Sequence, residues 1–323
     1  DVSTLIENVE VEIGGQKIDK HYSQWLDIYN ELFETTHDYR YVMNSVANNS
    51  KCAKVAGNAD GTKTFYLPLR FWFNRNPGLA LPLIALQYHE VKINLKISDG
   101  SGLVGIAKAT ADIVASTATA AKIKPHTGSG AQTNTTTTEL SVKLSSANLL
   151  VNYLYLDTDE RRRFAQVSHE YLIEQVQHTG VETGASIDMS FNHPVKALFW
   201  SGKEWDKVKL QLNGHDRAAE QEHDYYHLVQ PYESGLGHSG KQMNAKRAWD
   251  IVTGGYAATV STVGMYSFCL KPAEHQPSGT CNFSRIDNAR LNVTGNTESL
   301  YLFALNYNVL RIMSGMGGLA YSN

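Results

Sequence analysis

Only three cysteines, Cys52, Cys269 and Cys281, occur in 323 residues. So odd and sparse a set cannot form a disulfide framework, and it suits a reducing compartment. Charge is scarce as well. Asp, Glu, Lys and Arg make up 19% of the chain, against roughly 25% in ordinary globular proteins. The 29 basic and 32 acidic residues leave a net charge of −3, which argues against a polyanion partner held by a bulk basic surface. Long apolar runs are missing, so no spanning helix is expected and no membrane insertion follows. The N-terminus, Asp1-Val2-Ser3, shows neither an initiator Met nor a basic-then-apolar leader, and reads as the inside of a chain.

Aromatics are plentiful, with 17 Tyr, 10 Phe and 5 Trp in a chain that is 42% hydrophobic, which supports a substantial core. The dominant period is two. Val9, Val11 and Ile13 alternate with Glu10 and Glu12 before a Gly14-Gly15 turn. Phe65 to Phe73 alternates around Pro68, which predicts an edge or bulged strand. Val91 to Ile97 predicts a half-buried strand with Lys92, Asn94 and Lys96 outward. Leu149 to Leu156 is apolar on both faces and predicts a strand buried between layers. Val208-Leu210-Leu212 closing at Asn213-Gly214, Tyr266-Phe268-Leu270, Ala289-Leu291-Val293 and the run Leu300 to Val309 repeat the pattern. Helical spacing is confined to Tyr22, Trp25, Leu26, Tyr29, Leu32 and Phe33, with Asp19 as cap, and to a short stretch from Asp159 to Phe164.

Frequent strands and rare helices indicate an all-β chain of antiparallel sandwiches. Its length favours two in series, residues 1–160 and 161–323, with the break where a charged run follows Thr158. Residues 98–140, rich in Ala, Thr, Gly and Ser, form the least patterned connection, and 44–63 and 214–247 read as shorter surface excursions.

No catalytic, cofactor or metal site emerges. His223 and His227 have zincin spacing with Asp224 between them, but a third ligand is not evident, His215 and His238 being near only in sequence. Residues 235–241 satisfy GxGxxG and nearly a phosphate-binding GxxxxGK, yet Gln242 stands where a magnesium-binding hydroxyl belongs. Arg161-Arg162-Arg163, beside Asp157, Asp159 and Glu160, reads as a solvated, salt-bridged helix face rather than a nucleic-acid contact. No carboxylate pair or GxSxG elbow signals a hydrolase. Sequons occur at Asn48, Asn134, Asn282 and Asn292, and strand alternation turns Asn292 toward solvent.

Five strings carry a resemblance: IGGQKIDKHY at 13–22, NPGLALPLIALQYHEV at 76–91, RFAQ at 163–166 followed by HEYLIEQ at 169–175, QPSGTCNFSRIDN at 276–288, and NYNVLRIMSGMGGLAY at 306–321. Through them the chain resembles the major capsid proteins of nucleocytoplasmic large DNA viruses (the phycodnavirus, iridovirus and mimivirus group), most closely the algal-virus branch. The resemblance implies a tandem double jelly roll whose first roll lacks its opening strands. It also implies a homotrimeric, pseudo-hexagonal capsomer in an icosahedral virion shell, assembled in the host cytoplasm with neighbouring capsomers and minor capsid proteins. It brings no enzyme activity, no cofactor and no sequence-specific nucleic acid, and the outward loops of such proteins are often glycosylated. Gly315, Gly317 and Gly318 are expected to tuck the tail against the body. Without the strings, a carbohydrate-binding, lectin-like sandwich is the alternative, and a hydrolase using His223, Asp224 and His227 a third reading.

Overall fold

The computed structural model describes residues 6–34, 66–97, 146–202, 205–237, 262–295 and 300–321, with the backbone of five further short strands, β12 (Trp249–Asp250) and β13 (Gly255–Tyr256) among them. Every strand pair described is antiparallel.

The second half builds a sandwich of two facing sheets. One sheet sets β17 (Leu300–Met313) between β7 (His169–Glu182) and β9 (Pro194–Gly202), with β14 (Thr262–Ser267) and β15 (Cys281–Asn282) on the far side of β9. The facing sheet runs β11 (His215–Glu222), β10 (Lys207–Leu212), β16 (Ala289–Thr294), β8 (Ser186–Asp188). Val208, Leu210, Leu291 and Val293 meet Leu198, Trp200, Leu300 and Leu302 between the layers, as their period of two requires. The edge strand β11 carries Asp216, Arg217, Glu220 and Glu222 in exposed positions, a composition that discourages stray strand addition.

β9 and β17 are buried on both faces. The side chains turned away from the sandwich, Phe199, Phe303 and Leu305, are covered by Trp25, Ile28, Tyr29 and Leu32 of α1 (Ser23–Leu32). Each such side chain is worth about 1.5–3 kcal/mol of apolar burial. The cap differs from expectation. Tyr22 occupies the N-cap without a side-chain bond. Asp19 lies in β2 (Gln16–Tyr22), where its carboxylate pairs with His21 at 2.9 Å and accepts the Val176 amide at 3.0 Å. A buried partner on β7 outcompetes the helix end for that carboxylate.

The first half repeats one motif of the second. The β1 (Ile6–Ile13) and β2 hairpin turns at Gly14-Gly15, leads into a helix, and pairs with β3 (Val91–Ile97). The β10–β11 hairpin likewise turns at Asn213-Gly214, leads into helical turns, and pairs with β16. Val9, Val11, Ile13 and Leu86 share a core with Ile173, Leu310 and Ile312, so the halves meet at the far end of β7 and β17.

Two expected strands are not formed. Residues 66–70 form no strand, and a helical turn at Trp72–Arg75 follows. Phe71 and Trp72 are both buried; strand alternation would have sent one of them to solvent. Leu149 to Leu156 is also without strand pairing, and Leu150 and Tyr155 are 79% and 93% exposed. Among the described residues no strand lies alongside to bury it. Conversely, the unpatterned 98–140 stretch carries a three-stranded sheet, β4 (Ala111–Ala115), β5 (Ala121–Pro125) and β6 (Thr138–Leu140). The strand at Tyr266 ends at Ser267, one residue short of Phe268. The tail forms β18 (Met316–Leu319) behind the Ser314-Gly315 turn. A side chain at Gly317 would come within 2.7 Å of Leu86, so the tail does lie against the body through its glycine.

Candidate functional site

The residues with apparent catalytic spacing resolve into packing. Tyr225–Val229 is a π-helical turn rather than a zincin helix. His227 Nδ1 lies 2.7 Å from the Val263 carbonyl oxygen, and the His223 ring packs 4.2 Å from Trp205. Asp224 is largely exposed, and His215 stands on the exposed strand β11. His238 lies outside the described residues. Among those residues no group of three or more His, Cys, Asp or Glu could hold a metal.

Gly235, at φ +69°, ends the helical turn Gln230–Glu233, and the Gly237 amide donates to the Leu32 carbonyl at 2.8 Å. The described part of the glycine string therefore fastens a loop to α1. Arg161, Arg162 and Arg163 lie on the exposed α2 (Thr158–Gln166), capped by Asp157, with Arg162 3.8 Å from Asp159. Asn292 stands on the outer side of β16, half-buried, its amide donating to Gln211 Oε1 at 2.9 Å. Asn282 accepts the Ser284 amide and caps a short turn. Asn48 and Asn134 fall outside the described residues.

The charged centre that the sequence reading missed lies where the halves meet. Lys196, 1% exposed, projects from β9 and donates to Glu174 Oε1 at 2.5 Å and to the Glu274 carbonyl at 2.8 Å. Its ammonium sits 4.9 Å over the Tyr307 ring. From the first half, Arg75 reaches Glu174 Oε2 at 2.5 Å, and its guanidinium lies 5.8 Å from the Tyr29 ring. Burial works against the charge on Arg75, yet Glu174 and Tyr29 outweigh it and raise its pKa. His275 Nδ1 stands 4.0 Å from Glu174 Oε1, and Tyr307 donates to the His275 carbonyl at 2.9 Å. The available signal was one Lys inside the apolar run from Pro194 to Trp200.

Beside it, two amide pairs link β7 to β17, Gln175 with Asn308 and Gln177 with Asn306. Asn308 donates to Gln175 and Gln177 to Asn306, both at 2.9 Å, and Gln175 donates onward to the Ile18 carbonyl of β2. Satisfied polar networks of this kind favour one arrangement of their elements over others. Through Gln175 and Ile18 this arrangement joins the two half-molecules.

The chain matches the major capsid protein N-terminus over residues 2–157, and the large eukaryotic DNA virus major capsid protein over 160–207 and 256–318. It is 48% identical to the major capsid protein of Pyramimonas orientalis virus, across 99% of this chain and 77% of that one. The chain belongs to the large eukaryotic DNA virus major capsid protein family. The counterpart from Paramecium bursaria Chlorella virus 1 is 37% identical over 99% of this chain and 79% of its own. The crystal structure of PBCV-1 VP54, fitted into a reconstruction of the virophage Sputnik, superposes with a TM-score of 0.67 at 34% identity, covering 99% of this chain and 84% of that one. The fold is the double jelly roll of viral capsid proteins, and the role is structural, in the virion shell. These relatives lend no support to the lectin-like alternative.

Proposed function

We propose that three copies of this major capsid protein close into a pseudo-hexagonal capsomer and that these units tile an icosahedral shell. The observation that carries the reading is the 48% identity to a major capsid protein over 99% of the chain. The repeated hairpin–helix–strand motif supports it, because two similar modules per chain give six similar sides under threefold symmetry. On this reading, residues 1–160 belong to the first roll and 161–323 to the second, and the chain performs no catalysis. Its partners are its own copies, neighbouring capsomers and minor capsid proteins, and its outward asparagines, Asn292 first among them, are sugar acceptors.

Light scattering coupled to size exclusion tests the assembly. Three chains of 35.8 kDa give about 107 kDa. A protein that stays at the mass of one chain across micromolar concentrations overturns the trimer.

A further inference from the structure

The junction between the halves holds a cluster of opposite charges around Glu174. Glu174 on β7 faces two cations, Lys196 of β9 and Arg75 of the Trp72–Arg75 turn, so the cluster carries one excess positive charge with His275 neutral. Tyr307 of β17 also faces His275, and in its own loop Lys271 and Glu274 pair with each other at 3.0 Å. Of the three basic side chains around Glu174, Lys196, His275 and Arg75, only Arg75 belongs to the first half.

We propose that Glu174 is the catch of a proton-operated latch: it holds Arg75 across the junction while His275 is neutral, and yields Arg75 when His275 gains a proton and competes for the same carboxylate. His275 needs little movement, since its Nδ1 is already 4.0 Å from Glu174 Oε1 and about a third of its side chain is exposed to incoming protons. A third cation against one carboxylate raises the excess charge from one to two in a site of low effective dielectric. The member that can leave without unfolding the sandwich is Arg75, because Lys196 is fixed within β9.

The titration has the right sign. Burial holds the His275 pKa below its ordinary value of 6.5; Glu174 pulls it up, while Lys196 and Arg75 push it down. In the opened junction Arg75 no longer opposes the proton. The open form therefore binds the proton more tightly than the closed form, and opening is favoured as pH falls through the histidine range.

Hydrogen–deuterium exchange on the full chain, corrected for intrinsic rates, tests the latch at about pH 7.5 and about pH 5, either side of the histidine range. Between the two, amide protection in β2, the first half of β7 and residues 71–90 should fall by about fivefold or more, the lower end of ordinary coupling between sites. β10 and β16 should not change. His275→Gln, which cannot take the proton, should keep its protection at the lower pH. Arg75→Gln should exchange at neutral pH as the wild type does in acid. A wild type with equal protection at both values overturns the latch, as does a His275→Gln protein that opens like the wild type, or an Arg75→Gln protein as protected as the wild type at neutral pH.

Discussion

Lys196 and Glu174 meet at 2.5 Å from the two strands that flank β17, and the Tyr307 ring lies beneath the ammonium. Neither partner is more than 2% exposed. Such a pair contributes less to net stability than to uniqueness of arrangement, because desolvation offsets most of its attraction.

Breaking it on one side is therefore costly. Glu174→Gln leaves Lys196 and Arg75 facing each other without their carboxylate, and urea denaturation should register a loss of about 3–5 kcal/mol. Adding Lys196→Met, which removes one of the two stranded cations, should restore part of that loss. Equal stability of the single variant and the wild type would remove the pair from any role in holding the fold.

Gly264 faces the core indole on β9. A Cβ there would stand 2.3 Å from Trp200 Nε1, and Trp200 is fully buried. Gly264→Ala should cost about 1–3 kcal/mol through overpacking, with a shift in tryptophan emission. An unchanged melting curve and spectrum would mean that the β9–β14 pair gives way freely.

Alkaline pH should unfold the protein in a defined direction. Burial raises the pKa of Tyr226 and of Tyr307 above the ordinary 10; Tyr225 and Tyr266 add to the rise at Tyr226, and Glu174 and Cys269 add to it at Tyr307 against the opposing Arg75. Neutral phenols are thus favoured in the fold. Their contribution is complete below pH 10 and is lost as pH rises from there toward the folded values. Phenolate absorbance should appear late and together with loss of circular dichroism. Free ionisation of all tyrosines near pH 10 in folded protein would contradict it.

Asn292 is expected to carry sugar more often than Asn48 in virion-derived protein, since it stands on the outer side of the β10–β16 pair. Peptide mass mapping reads both sequons. Higher occupancy at Asn48 would count against that face as the glycan-bearing one.

Much of the architecture was legible because its cause is local. Val208, Leu210 and Leu212, and Ala289, Leu291 and Val293, alternate so strictly that only a strand buries each set on one face, and Asn213-Gly214 supplies the left-handed turn between strands. α1 was equally visible, because its apolar residues recur at helical spacing. The family strings then tied these elements to a known shell protein. Other features depended on partners distant in the chain. Asp19 left its expected cap for the Val176 amide, 157 residues away. Leu149 to Leu156 has the composition of a buried strand, but burial needs neighbouring strands and none described lies beside it. Lys196 stood out as a charge in an apolar run, yet its meaning came from Glu174 and Arg75. Period and turn chemistry act within a few residues, so the sequence by itself determined the strands, the hairpins and the kinship. Which carboxylate pairs with which cation is set by side chains that only the folded sheets bring within bonding distance, and that was decided by the tertiary structure.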